Sequence, residues 1–398
     1  ITNSGTLSIA AAADMSLDGA FTQDGSGAVS TAGDITTTGD NISFNTAVTL
    51  TGSVALTTAG GNVSFPSTLD GTTAGTEDLT ISAGSGSVTF SGAVGSTTTL
   101  GNVSVSASSI TVASSFAVGG NLTFTGDSID LNGGADSVSG PGTVTLQPYS
   151  VGTSIGIAGG SGTLELTTAE LAALSDGFSG IVIGRSDGTG AVAVNAVSFR
   201  DPVTIRSGGT GGTISVDGQI TGTDNGSVTL TAPGQGVTLN ADIVTSGNAI
   251  SVTNGFILGT SVTLDTTAGG GSPAGASISV GGAIDADLAS NNRTLTLNAG
   301  TGGDITLSGA VGGSERPYTL TITNARNVTA SALTVGNLVQ TAGQGTSTFN
   351  GAVTTDLAAG IDLNGSAFAI NGAVTTTNGG TVTVTNSGTL SIAAAGDM

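Results

Sequence analysis

The sequence predicts an all-β fold, a parallel β-helix (β-solenoid) built from coils of about 21 residues. Three observations predict it: short runs that alternate apolar and polar residues, turn-forming pairs between those runs, and a recurring motif of fixed spacing. Gly accounts for 68 of the 398 residues and 37% are hydrophobic. This composition separates the chain from disordered Gly-rich sequences, which lack enough apolar surface to form a core.

The strand-like runs are four to five residues long, and they alternate an apolar residue with Ser or Thr, as in NISF, NVSF, SVTF, NLTF and TVTL. Alternation with a period of two places the apolar side chains on one face of a strand. GG, NG, DG and SG pairs between the runs supply the positive φ angles of tight corners. An α-helical solenoid would need longer segments with a period of 3.6 residues.

A motif of one bulky apolar residue followed by small residues gives the coil length. FNGAV begins at Phe349 and INGAV begins 21 residues later, at Ile370. LSGAV begins at Leu307, 42 residues before Phe349, and FPSTL at Phe65 follows FNTAV at Phe44 by 21. Two or three strands fit in each coil.

One longer step marks an insertion, because Phe65 and Phe90 are 25 residues apart. We expect the four extra residues in a turn around 73–77 (TAGTE). The alternative fold is a series of tandem β-sandwiches, which would need units of about 90 to 100 residues with Greek-key spacing. The 21-residue spacing argues against it.

A second and much longer repeat spans the chain. Residues 1–15 (ITNSGTLSIAAAADM) return as residues 384–398 (VTNSGTLSIAAAGDM), with 13 of 15 positions identical at an offset of 383. This predicts that residues 1–383 are one tandem-repeat unit of a continuous solenoid and that residues 384–398 begin the next. The expected partners are further copies of the same unit, in the same chain or in neighbouring chains.

One segment departs from the strand pattern. In residues 167–178 (TTAELAALSDGF), Thr167 or Thr168 can cap a helix, Glu170 lies in its first turn, and Gly177 would end it. A bent strand is the alternative for this segment.

Composition excludes several classes of function. The net charge of -21 repels nucleic-acid phosphates and anionic lipid headgroups, so we expect neither partner. No apolar run approaches the roughly 18 residues of a membrane helix, so no membrane insertion is expected. The chain has no His, Lys or Cys, which are the usual nucleophiles and general bases, and the sequence therefore predicts no enzyme and no catalytic residue.

Paired carboxylates are the remaining candidates for chemistry, namely Asp127 with Asp130 and Asp285 with Asp287. Asp285 and Asp287 are two residues apart, which on one strand would place both carboxylates on one face, about 7 Å apart, as in a glycoside hydrolase. Calcium is the better candidate ligand for these four residues, since it prefers carboxylate and amide oxygens. Solvated acidic turns are the simpler interpretation, and the sequence requires no cofactor.

The segments 162–194 (GTLELTTAELAALSDGFSGIVIGRSDGTGAVAV) and 90–107 (FSGAVGSTTTLGNVSVSA), together with the NGAVTT coils, resemble the large repetitive exoproteins of the filamentous haemagglutinin-like class and giant surface adhesins. The resemblance implies a right-handed parallel β-helix exported by a Gram-negative bacterium, at the cell surface or outside the cell. It favours a structural function as a rod-like spacer, a filament or sheath building block, or an adhesin stalk. The alternatives are an adhesive module that binds glycans or proteins of host or neighbouring cells, and lateral assembly bridged by calcium.

Overall fold

The structure, a computed structural model, describes residues 1–393. It confirms an all-β parallel β-solenoid with about 18 turns, about 22 residues apart, and it rules out tandem sandwiches. The chain divides into two compact units, Ile1–Arg185 and Ser186–Met398. Each unit has three walls of parallel strands, which we number in chain order within the unit.

In the first unit, one strand of each wall contributes to most turns. The first wall contains Leu7–Ile9, Val29–Thr31, Val48–Leu50, Leu69–Gly71, Phe116–Ala117 and Val138–Ser139. The second wall contains Met15–Leu17, Ile35–Thr37, Val54–Thr58, Leu79–Ser82, Val103–Ser106, Leu122–Thr125, Thr143–Gln147 and Gly180–Arg185. The third wall contains Phe21–Gln23, Ile42–Phe44, Val63–Phe65, Ser87–Phe90, Ser109–Val112 and Ser128–Leu131, and two further strands, Ile155–Ile157 and Leu164–Leu166, pair with each other.

The second unit repeats this arrangement. Its first wall contains Ala191–Val194, Thr213–Val216, Val237–Leu239, Phe256–Leu258, Ile284–Ala286, Leu333–Val335, Val353–Thr355 and Val374–Thr376. Its second wall contains Val197–Phe199, Ile220–Gly222, Ile243–Thr245, Val262–Asp265, Thr294–Asn298, Thr319–Asn324, Asn337–Gln340, Ile361–Gly365 and Val382–Asn386. Its third wall contains Val203–Ser207, Val228–Thr231, Ile250–Val252, Ile278–Val280, Ile305–Leu307, Val328–Ala330, Thr346–Phe349, Ala367–Ile370 and Leu390–Ile392.

The register between layers follows from the alternation in the sequence. On the second wall of the first unit, Val103 is level with Leu122, and Leu122 is level with Val144. All three point inward and are at most 1% exposed. Inward residues therefore stack on inward residues, and each turn buries its apolar side chains only by stacking on its neighbours.

Phenylalanines form a stack inside the first unit. The rings of Phe21, Phe44, Phe65 and Phe90 follow one another on the third wall, with centroids 5.1, 5.4 and 5.4 Å apart. The rings of Phe44, Phe65 and Phe90 are nearly parallel, with interplanar angles of 12° and 3°. This spacing is close to that of adjacent parallel strands, so in-register stacking of the layers also stacks the rings.

Insertions account for the difference between the expected 21 residues per turn and the observed 22. The predicted insertion near 73–77 is confirmed as a turn, and Gly75 there has a φ of 74°. Two corners that the sequence did not predict contain short 3-10 helices, Ala268–Gly270 and Ala289–Asn291, in the second unit. At these three sites the extra residues remain in the corners, so the neighbouring walls keep their register. Within a wall, the register shifts at Leu297/Asn298, where the strand pairs with Thr319–Asn324.

The helix expected within 167–178 forms, but it is short, from Thr168 to Ala172. Thr167 is the N-cap and makes a reciprocal capping box with Glu170. The helix ends before Gly177 because Leu174 already forms a parallel bridge with Val138 of the first wall.

Candidate functional site

Asp127 anchors a loop. It lies in the corner between two strands of the first unit, and its Oδ1 accepts hydrogen bonds from Tyr149 N at 3.0 Å, Ser150 N at 3.2 Å and Thr153 Oγ1 at 3.0 Å. Its Oδ2 accepts from Ser150 Oγ at 3.4 Å. Protein donors therefore use both oxygens of this predicted calcium ligand.

Asp130 belongs to a different environment from Asp127. It lies within the strand Ser128–Leu131 and accepts from Ser128 Oγ at 3.1 Å. Glu170 is its acidic neighbour: burial raises the pKa of Glu170, hydrogen bonds from Thr167 oppose that shift, and the charge of Asp130 adds to it. The structure thus gives Asp127 and Asp130 separate partners.

Asp285 is buried, at 5% exposure, within the strand Ile284–Ala286. Its Oδ2 accepts from Gln235 Nε2 at 2.8 Å, and its Oδ1 accepts from Ser314 N at 2.9 Å and Glu315 N at 3.2 Å. These donors satisfy the carboxylate and fasten the loop at 314–315 to the first wall of the second unit.

Asp287 does not share the strand with Asp285, because the strand ends at Ala286. Its carboxylate forms a two-pronged ion pair with Arg293, with Nε to Oδ1 at 3.0 Å and Nη2 to Oδ2 at 2.8 Å. Hydrogen bonding from this guanidinium holds the pKa of Asp287 far below its usual range. Asp287 also accepts from Leu288 N and Asn291 Nδ2, so it closes a corner and is not poised as a general acid.

Side-chain oxygens at the corners also connect successive layers. Asn102 N donates to Asp78 Oδ1 at 2.6 Å, Asn121 N donates to Asn102 Oδ1 at 3.0 Å, and Thr143 N donates to Asn121 Oδ1 at 2.8 Å. We call this chain of contacts the corner ladder. Asp78, Asn102 and Asn121 directly precede a strand, and Thr143 is the first residue of one. The backbone N–H groups at the starts of these strands are therefore satisfied by the previous layer.

The second unit has an equivalent ladder. Asp304 N donates to Ser277 Oγ, Asn327 N to Asp304 Oδ1, and Thr346 N to Asn327 Oδ1, at 3.3, 3.2 and 3.1 Å. Hydrogen bonds from Arg326 to Asp304 lower the pKa of that carboxyl despite its partial burial. Acidic side chains at these corners therefore have a structural role.

Buried polar side chains are the feature that sequence reasoning missed. Gln23 is fully buried, and its amide donates to Asn3 Oδ1 at 2.7 Å and accepts from Asn45 N and Thr46 Oγ1 at 3.1 Å each. Glu77, 6% exposed, accepts hydrogen bonds from Thr72 Oγ1 and Thr73 N. Burial raises the pKa of Glu77, but these hydrogen bonds outweigh it and hold the pKa below its ordinary value. The only sequence signal was a polar residue at an inward position.

A shallow recess of about 410 Å³ lies along a corner of the second unit. Three successive turns line it, through residues 341–344, 364–366 and 385–387. Every lining side chain is small or polar, and none of them ionises near neutral pH, so this recess offers no acid or base for catalysis.

In residues 1–393, no group of three or more His, Cys, Asp or Glu side chains is arranged to hold a metal ion. Calcium binding by Asp127, Asp130, Asp285 or Asp287 stays a prediction. Over the same range, no helix is long and apolar enough to cross a membrane.

The fold and the corner contacts define a β-helical repeat protein. The chain matches no protein-family model, no curated protein and no solved structure.

Proposed function

We propose that the chain is a structural repeat segment of a secreted or cell-surface fibrous protein, where it serves as a rod-like spacer, a filament or sheath building block, or an adhesin stalk. The observation that supports this most directly is the use of the acidic side chains. The carboxylates that could have formed a site instead accept hydrogen bonds from the next layer or from a neighbouring loop. The resemblance to large repetitive exoproteins favours an extracellular setting in a Gram-negative bacterium.

A spacer must resist extension, and the contacts between layers suit that task. Each strand is hydrogen-bonded to strands of adjacent layers, and the inward side chains contribute to a core shared by several turns. Detaching one layer exposes apolar surface and breaks a row of backbone hydrogen bonds at once. Stability in such a fold is a sum of nearest-neighbour terms, so it does not decrease as layers are added.

Single-molecule stretching of the whole chain tests this proposal. We expect force plateaus in which layers detach singly or in small groups. One layer of about 22 residues releases about 75 Å of extended chain. Extension without plateaus, as for an unfolded chain, would contradict the proposal. Phe65→Ala is the matched variant, and it should lower the detachment force in the first unit only.

A second candidate function, adhesion, is favoured by one observation. Tyr149 and Val151 are 43% and 46% exposed, and Asp127 holds the loop that carries them. A fixed, exposed aromatic side chain can stack on a sugar ring or anchor a protein contact. Binding of the chain to a glycan array or to cells should then be lost in Tyr149→Ser/Val151→Ser and kept in Leu288→Ser, where another exposed side chain is removed. Equal binding by all three proteins would exclude this loop.

Lateral assembly bridged by calcium is the third alternative. Asp18, Asp24 and Asp362 are exposed carboxylates that could face those of a neighbouring chain. This alternative predicts side-by-side bundles in electron micrographs that disperse when a calcium chelator is added. Bundles that persist in chelator would exclude calcium bridging.

A further inference from the structure

The repeated segment occurs twice in the structure, and both copies take the same local conformation. In residues 1–9, which we call the head copy, Asn3 Nδ2 donates to Gly5 O at 2.7 Å. In residues 384–392, the tail copy, Asn386 Nδ2 donates to Gly388 O, also at 2.7 Å. Both then form a strand with the sequence LSI, Leu7–Ile9 in the head copy and Leu390–Ile392 in the tail copy.

The head copy is paired with the layer that follows it. Leu7 is level with Val29 and Ile9 with Thr31 in a parallel pair. Gly27 N donates to Asn3 O at 3.0 Å, and Asn3 Nδ2 donates to Gly27 O at 3.0 Å. We call residues 22–31 the receiving layer.

The tail copy is paired with the layer that precedes it. Val384 is level with Leu363, and Asn386 is level with Gly365. The strand Leu390–Ile392 pairs with Phe368–Ile370. Within residues 1–393 the structure gives this strand a partner along this edge only.

The strand of the repeated segment is therefore paired along one edge in each copy, with the following layer in the head copy and with the preceding layer in the tail copy. Ile9 is 6% exposed beneath the receiving layer, whereas Ile392 at the equivalent position is 38% exposed, and Leu390 is 40% exposed. Taken together, the two copies specify a strand that is paired on both sides. We propose that the tail copy of one chain takes the place of the head copy in a second copy of this chain and pairs with its receiving layer.

The receiving layer fits this segment closely. A Cβ added at Gly25 would lie 2.0 Å from Asn3 N, and one added at Gly27 would lie 1.8 Å from Gly5 O. Any other residue at either position would collide with the corner above it. The buried amide of Gln23 also donates to Asn3 Oδ1 at 2.7 Å. Since Asn386 and Gly388 repeat Asn3 and Gly5, the tail copy meets the same steric and hydrogen-bonding requirements.

Exchange of the two copies conserves the contacts of the receiving layer. The displaced head copy loses its pairing and the burial of Ile9, while the incoming tail copy makes equivalent contacts and buries Leu390 and Ile392 instead, so the exchange costs little. The contact is head-to-tail, so it repeats without closing and extends the solenoid in one direction. Where a further unit follows in the same chain, its receiving layer forms this junction without exchange. This inference rests on the proposed structural function and identifies the partner as the chain itself.

Sedimentation velocity on the full chain over a concentration series tests the junction. We expect a ladder of oligomers that lengthens with concentration. Leu390→Asp/Ile392→Asp, which buries charge in the junction, should weaken association at least about 100-fold. Ser391→Asp adds a charge to the outward face of the same strand and should assemble like the wild type. Monomers alone in the wild type, or unimpaired assembly of the double variant, would overturn the proposal.

A mixing experiment tests the pairing directly. Gly27→Val blocks the receiving layer and leaves the tail copy intact. Leu390→Asp/Ile392→Asp disrupts the tail copy and leaves the receiving layer intact. Each variant alone should remain monomeric, with the circular dichroism of the folded chain, and the mixture should form one-to-one dimers and nothing longer. A mixture that stays monomeric or forms long oligomers would refute the head-to-tail pairing. If the wild type stays monomeric but still shows force plateaus on stretching, the junction is refuted while the proposed structural function is retained.

Discussion

The phenylalanine stack of the first unit makes a quantitative prediction about what holds the layers together. Phe65 is 2% exposed, and both neighbouring rings, Phe44 and Phe90, lie 5.4 Å from it in nearly parallel planes. Phe65→Leu keeps most of the buried volume but removes both ring contacts. Each contact contributes about 0.5–1.5 kcal/mol beyond its buried area, so the substitution should cost about 1–3 kcal/mol from the rings alone.

Phe349 in the second unit is the matched control. It is 1% exposed, and no aromatic ring stacks on it among the described residues. Phe349→Leu should therefore cost only the repacking term, less than about 1.5 kcal/mol. Phe65→Ala sets the upper limit, at about 3–5 kcal/mol, because it also leaves a cavity.

Hydrogen exchange measured by mass spectrometry is the appropriate assay, because it reports the opening free energy of each group of layers separately. The double variant Phe44→Leu/Phe65→Leu isolates one ring pair through its coupling free energy, expected at about 0.5–1.5 kcal/mol. If the two single substitutions are additive, or if Phe65→Leu costs no more than Phe349→Leu, the stack contributes only buried area and our reasoning is wrong.

Three further predictions concern the corners. The pKa of Asp287 is depressed in the folded protein, so this carboxylate should stabilise the fold fully above pH 3.8, its ordinary pKa, and lose that contribution as the pH falls through the folded pKa. Urea denaturation over a pH series measures this dependence, which should be absent in Asp287→Asn. Glu170 has a raised pKa, so its contribution should be complete below 4.5 and fade as the pH rises through the folded pKa; Glu170→Gln should abolish this dependence. Thr167→Ala removes the helix cap and should cost about 1 kcal/mol by the same assay, whereas no loss would mean that the cap is dispensable.

The walls of the solenoid could be predicted from sequence because their signal is local. A run such as NVSV predicts a strand, which forms at Val103–Ser106, and it predicts that Val103 and Val105 point inward. The two valines are at most 1% exposed. For the same reason the recurring motif predicts a coil length of 21 residues, close to the observed 22. The motif occurs in coils without insertions, whereas insertions such as the corner at 266–277 lengthen the average coil.

For the helix Thr168–Ala172, local sequence predicts where it begins but not where it ends. Its start was predictable, since the Thr167–Glu170 capping box requires only residues three apart. Its end depends on a contact between Leu174 and Val138, 36 residues earlier, and no local pattern of residues indicates that bridge. Propensity alone would have continued the helix to Gly177, and wall pairing ended it earlier.

The environments of the candidate carboxylates could not be predicted, because their partners are distant in sequence. Asp285 is held by Gln235, 50 residues earlier, and by Ser314 and Glu315, 29 and 30 residues later. Two-residue spacing suggested one face of one strand, but Asp287 lies beyond the strand and turns toward Arg293. The partners of each carboxylate therefore depend on which corners the layer stacking brings together, which spacing within one strand does not indicate.

Buried polar residues give the fold a register that its apolar rows alone would not provide. Inward Val, Ile and Leu residues are nearly interchangeable, so an apolar row could slip by a whole layer at little cost. Gln23 prevents such a slip locally, because its buried amide requires Asn3 above it and Asn45 and Thr46 below it. A displaced layer would leave that amide without partners, at a cost of about 1–3 kcal/mol. In a solenoid of near-identical layers, a few such side chains determine which layer stacks on which.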